Sequence, residues 1–141
     1  MHLFSIIHFL IFKNIGTVGF KIIHAILVLL FILFAGVQIN DPDPLGWILI
    51  YLGVSVSIIL YMLNKDISII PLAGGVISIV GMILLIPDFI VWLQEGAPTI
   101  TGSMKATEPH IELTREFLGF IIAAIAYFSY FYLMYRRTKS C

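Results

Sequence analysis

The chain has 141 residues, 60% of them hydrophobic and 11% charged, against about 45–50% and about 25% in soluble domains. That balance excludes an ordinary soluble domain, and a formal net charge of zero gives nucleic acid no basic surface to bind. The single cysteine, Cys141, excludes an internal disulfide, a CxxC pair and a thiolate metal site, and it is misplaced for prenylation.

In chain order, the first apolar run is Leu3 to Phe12. It is too short to cross a bilayer, no cation precedes it and no small-residue cleavage site follows it. It reads as a short N-terminal interfacial segment. Residues 22–39 form the first span, interrupted only by His24, Gly36 and Gln38. At about 1.5 Å per residue this stretch covers about 27 Å, close to the hydrocarbon thickness of a membrane.

A compact polar knot follows, Gln38-Ile39-Asn40-Asp41-Pro42-Asp43-Pro44. Two Asp-Pro steps deny the helical region to Asp41 and Asp43, so the first helix must stop there. Asn40 suits a left-handed residue ending that helix. Asp43 suits the N-cap of the next helix, with Pro44 at its first position. The second span covers 47–63 and closes at the polar turn Asn64-Lys65-Asp66. The third covers 67–93, with Pro71 tolerated in its first turn and Pro87 bending or ending it. Residues 94–107 form a loop rich in glycine, serine and threonine. The last span covers 117–135, its helix beginning as early as Glu108.

Charge placement orients these spans. Lys13, Lys21, Lys65, Arg136, Arg137 and Lys139 fall on one side, and nearly all the acids fall on the other. The positive-inside rule then puts both termini in the cytoplasm. Trp47 and Trp92 mark the outer interface, and Tyr130, Tyr132 and Tyr135 the inner one. Short connections make successive spans antiparallel neighbours, so the predicted fold is an all-α membrane protein, one domain over 1–141, with four transmembrane helices in an antiparallel bundle. Gly74, Gly75 and Gly81 on the third span, and Gly119, Ala123 and Ala126 on the fourth, supply small surfaces for close helix packing or a homodimer face.

The outer end collects Asp41 and Asp43 from the first hairpin, Asp88 from the end of the third span, and Glu112 and Glu116 from the head of the last. Asp88 is an interfacial residue freed by the Pro87 bend, or else an inward acid facing Arg115 or the hairpin. Glu112 and Glu116 share a helix face with Gly119, beside Arg115. Acids in a first turn also complement the helix dipole, which is the plain structural account of both. Asn40, Asp41, Asp43, Asp88, Glu112, Arg115 and Glu116 are therefore the candidate binding residues. Asp41, His110 and Glu116 are the candidate ligands should the site hold a divalent metal, although no H-E-x-x-H or EF-hand spacing is present. His2, His8 and His24 fall on the inner half and read as interfacial.

The Gln-x-Asn-Asp-Pro-Asp-Pro hairpin leading to Trp47 and Ile50-Tyr51-Leu52, together with Arg115-Glu116-Phe117-Leu118-Gly119, resembles the transmembrane protein 220 family. The resemblance covers about Ile22 to Tyr135. It implies the multi-pass architecture and the pairing of the two motifs, and implies neither an activity nor a cofactor.

No nucleophile–base set is readable at the outer end. The expected function is thus that of a non-enzymatic integral membrane protein, lying in the lipid bilayer and binding a partner membrane protein, an ion or a lipid through its acidic extracytoplasmic end. The alternative is a small oligomeric transporter or channel, since four short spans are too few to enclose a path alone. An intramembrane enzyme working through a carboxylate pair or a bound metal is the third reading.

Overall fold

A computed structural model describes residues 2–41, 43–101 and 109–139, with side chains from Val18 in the first segment and from Ile111 in the last. The described residues form helices α1 (His2–Val37), α2 (Pro44–Met62), α3 (Ile69–Leu84), α4 (Ile86–Gln94) and α5 (Pro109–Lys139), with a 3-10 turn at Gln38–Asn40 and no strand. Stretches within α1 (Val18–Asn40, including the 3-10 turn), α2 (Pro44–Met62) and α5 (Ile111–Lys139) are long and apolar enough to cross a membrane. Helices α3 and α4 pass the same test only as a pair, bent by 45° at the break between them.

The first correction is at the N-terminus. Leu3 to Phe12, expected as a separate interfacial segment, runs without a break into α1. The weakest helix formers between the two apolar runs are Asn14, Gly16 and Gly19. Each glycine costs a helix only about 1 kcal/mol, too little to interrupt it. The third span bends beside Pro87, as its sequence predicts, and divides at Leu85, two residues ahead of that proline. Pro87 disfavours the helical region for Ile86 and clashes with the carbonyl four residues back. Leu85 adopts φ −94 and ψ 0, and Pro87 lies in the first turn of α4.

The hairpin also differs in detail. Asn40 closes the 3-10 turn and is not among the residues of positive φ. Asp43 precedes Pro44 as the N-cap but makes no side-chain capping bond. The hydrogen bonds run through its neighbour: Asp41 donates its N–H to the Gln38 carbonyl at 2.9 Å. Its Oδ1 accepts the Asp43 N–H at 3.0 Å. An Asx turn has replaced the left-handed residue and the cap.

Helix α2 touches α1, α3 and α5, and α5 touches α2, α3 and α4. Ring contacts fix the directions. Tyr51 meets Phe31 and Tyr61 meets His24, so α1 and α2 run oppositely. Trp47 meets Phe120 and Tyr61 meets Tyr130, so α2 and α5 run the same way. Gly74 faces Tyr127 and Gly81 faces Phe120, so α3 opposes α5. Among the described residues no Cα of α1 lies within 8 Å of one in α5. The diagonal pair α2–α5 is in contact while α1 and α5 stand apart, which leaves an open side between them.

The glycines of α3 therefore receive rings from α5: Tyr127 against Gly74, Phe128 against Gly75, Phe120 against Gly81. The core around them joins Phe31, Trp47, Tyr51, Val54, Ile58 and Tyr127. His24, expected at an interface, is buried. Its Nδ1–H donates to the Phe20 carbonyl at 2.7 Å, and its ring packs among Phe20, Tyr61 and Tyr130. The side chains of His2 and His8 lie outside the described residues. At the end away from the hairpin, Arg137 closes on Asp66.

Candidate functional site

The site grows from two segments that the fold brings to one end. The Asx turn holds Asp41 half-buried at the tip of the first hairpin. The first turns of α5 carry Glu112, Arg115 and Glu116, whose spacing of three and four places them on one side of the helix. Between the two segments lies a cavity of about 210 Å³, walled by Gln38, Asp41 and Trp47 on one side and Glu112, Arg115 and Glu116 on the other. Tyr51 and Val37 complete the wall.

Trp47 and Tyr51 are both buried, and they form the floor because α5 carries glycine beneath them. A Cβ at Gly119 would meet the Tyr51 hydroxyl at 2.7 Å and the Trp47 ring at 3.1 Å. The Glu116 carboxylate faces the Trp47 indole, and Asp41, Glu112 and Asp43 all act on that carboxylate electrostatically. Among the described residues of the wall, one cation, Arg115, stands with three acids. The arrangement suits a ligand with a positive group, and the aromatic floor adds an attractive face for such a group.

Of the residues expected from sequence, Asp41, Glu112, Arg115 and Glu116 come together around this cavity. Asp43 is exposed beside it. Asn40 is exposed and outside the wall. Asp88 stands apart in the first turn of α4, also outside the wall. The side chain of His110 lies outside the described residues. Among the described residues no three of His, Cys, Asp and Glu are grouped closely enough to hold a metal ion. The acids are spaced around a volume larger than an ion.

Gln38, Trp47 and Tyr51 were not expected in the wall. Trp47 and Tyr51 are four apart on α2, on the face turned toward α5, a pattern the sequence contains. Gln38 is the last polar residue before the hairpin, one turn from Phe34, which lines the adjoining cavity.

That adjoining cavity, about 360 Å³, shares Val37, Gln38, Tyr51 and Arg115 with the first and continues past Gly119 to Ile122. A third, about 430 Å³, shares Phe34 and Ile122 with the second and follows the open side between α1 and α5 to Tyr130 and Leu133. The three adjoin through these shared residues, in a row that is polar at the hairpin end and apolar along the rest.

No curated protein and no solved structure matches the chain. A family model, described as transmembrane family 220, helix, matches residues 30–132. That range contains the hairpin and the head of α5 that meet around the cavity, and most of the 141 residues; the chain belongs to transmembrane family 220.

Proposed function

We propose that this integral, multi-pass membrane protein is non-enzymatic and binds a positively charged or zwitterionic ligand at its acidic end. In this reading the bent pair α3–α4 is the fourth crossing of an antiparallel bundle, both termini are cytoplasmic and the acidic end faces outward. The observation that carries the reading is the shared cavity. Segments about seventy residues apart, Gln38–Asp41 and Glu112–Glu116, wall one volume in which three carboxylates meet one guanidinium. A carboxylate next to a low-dielectric floor is costly unless something neutralises it. Among the described residues of the wall, Arg115 alone does not balance Asp41, Glu112 and Glu116.

The test compares the wild-type protein with Asp41→Asn and Glu116→Gln by native mass spectrometry after gentle solubilisation. Asparagine at position 41 keeps an oxygen to accept the Asp43 N–H, so the change removes charge and spares the turn. A bound mass present on the wild type and lost from both variants is the expected result. The same occupancy in all three proteins overturns the reading.

The orientation has its own test in the lone thiol, Cys141. The supporting feature is charge: Lys65, Arg136, Arg137 and Lys139 gather at the end opposite the acids. A membrane-impermeant maleimide is expected to leave Cys141 unlabelled in intact cells and to label it after permeabilisation. Labelling of intact cells would reverse the topology.

A further inference from the structure

We infer that the ligand is an ammonium-bearing zwitterionic phospholipid, its head in the acidic cavity and one acyl chain in the groove between α1 and α5. The inference rests on the proposed function for the head and on the groove for the chain. An ion or a small soluble cation would need only the first cavity. The groove adjoins that cavity through shared wall residues and leads to a cleft whose sides are Leu30, Phe31, Phe34, Ile122, Ile125 and Ala126. It opens toward the bilayer where the backbones of α1 and α5 stand more than 8 Å apart, and the two helices meet at its inner end through His24 and Tyr130. A lipid can enter sideways without any helix moving.

The dimensions agree. One leaflet is about half of the roughly 30 Å hydrocarbon core, or about ten residues of helix. Measured from Leu118, just below the polar wall, that distance ends near Phe128. Ile122, Ile125 and Ala126 lie within it. Ile100, from the loop after α4, lines the groove near the head.

The polar wall selects the head. A phosphate finds Arg115, whose planar fork suits it. An ammonium finds Asp41, Glu112 and Glu116, with the Trp47 and Tyr51 rings beneath. Anionic heads lacking the ammonium meet three carboxylates and one guanidinium, a net repulsion. This separates a selected lipid from the annular lipid that covers every apolar face.

The test adds equal amounts of phosphatidylethanolamine, phosphatidylcholine and phosphatidylglycerol, with matched chains, to the delipidated protein and reads adducts by native mass spectrometry. The wild type is expected to retain the two ammonium lipids over phosphatidylglycerol. Glu116→Gln is expected to reduce that preference roughly tenfold, the loss of one charge-assisted contact. Ala126→Trp fills the groove and is expected to remove the bound lipid. Ile77→Trp, on a lipid-facing side of α3 away from the groove, leaves it in place. Thermal melts of each variant separate a folding defect from a binding defect, and Glu112→Gln serves in place of Glu116→Gln should that variant fail to fold.

Equal retention of all three lipids by the wild type overturns the inference. So does a bound lipid that Ala126→Trp and Ile77→Trp leave equally untouched. If the acid variants abolish a retained mass that Ala126→Trp leaves unchanged, the acidic end binds but its occupant does not use the groove. If Ala126→Trp alone removes the lipid, the groove binds and the acidic end does not.

Discussion

Replacing Gly74 by alanine is expected to destabilise the protein, against the ordinary preference of a helix. In an open position the change from glycine to alanine favours a helix by about 1 kcal/mol. At Gly74 a Cβ would run into the ring of Tyr127, and at Gly53 into its hydroxyl. That ring is wedged between α2 and α3. Its hydroxyl donates to the Ile50 carbonyl at 2.6 Å, and Tyr127 is only 3% exposed. It has no free space to move into. Overpacking of this kind costs about 1–3 kcal/mol, and displacing the hydroxyl loses about another 1 kcal/mol. Gly53→Ala should behave the same way, whereas Gly36→Ala, with nothing within 4 Å of its Cβ, should be neutral or stabilising. Thermal or denaturant unfolding in detergent reads all three. Tyr127→Leu should recover part of the loss in the Gly74→Ala background, because the two changes act on one contact. A Gly74→Ala protein as stable as Gly36→Ala would refute the wedge.

This wedge also shows which parts of the fold the sequence displays. Apolar length and the Asp-Pro and Asn-Lys-Asp breaks mark the crossing helices, because bilayer thickness and backbone chemistry act on each segment alone. The small residues of α3 are visible as a packing surface. Their partners are not, since which ring fills which glycine depends on helix rotation and depth. The continuity of α1 is not visible in the ten-residue apolar run Leu3 to Phe12, because hydrophobicity dips after it while the helix does not end. A helix continues through such a dip unless a proline or a cap stops it.

The candidate site divides the same way. Asp41, Glu112, Arg115 and Glu116 are legible as charges near one boundary, because acids inside apolar spans are rare and conspicuous. Asp88 obeys the same rule and yet lies outside the cavity, since the break at Leu85 carries α4 off the line of α3. Asn40 and Asp43 have the residue types for turn positions, but Asp41 makes the turn's hydrogen bonds instead. Trp47, expected at the outer interface, and Tyr51 belong to the wall because Gly119 lets α2 approach. Their role depends on a contact between helices distant in sequence, and no single-segment pattern encodes it.

The other large effect is expected at the opposite end, where Arg137→Ala should loosen α5 from the turn between α2 and α3. Arg137 makes nearly every bond its guanidinium can. Its Nε donates to both oxygens of Asp66 at 2.9 and 3.1 Å. One terminal nitrogen donates to Asn64 Oδ1 at 2.9 Å, the other to the Tyr61 carbonyl at 3.0 Å and to Asp66. The guanidinium also lies over the Tyr61 ring, 4.2 Å from its centre. Asn64 is placed to accept because it holds a φ of 56, a conformation asparagine tolerates better than most residues. Asp66 and Arg137 keep 23% and 28% of their surface exposed, so water screens the pair in part and the full value of a buried ion pair does not apply. Hydrogen bonds to charged groups contribute about 1.5–3 kcal/mol, and a loss in that range is the expected result of Arg137→Ala. Lysine should not rescue it, because a single ammonium cannot satisfy a carboxylate, an amide and a carbonyl in one plane. Asp66→Ala should cost nearly as much, and the double variant little more than either alone. Unfolding of the four proteins in the same detergent measures that coupling. Additive losses would mean that Arg137 and Asp66 stabilise the fold separately, and that α5 is held at this end by its ring contacts alone.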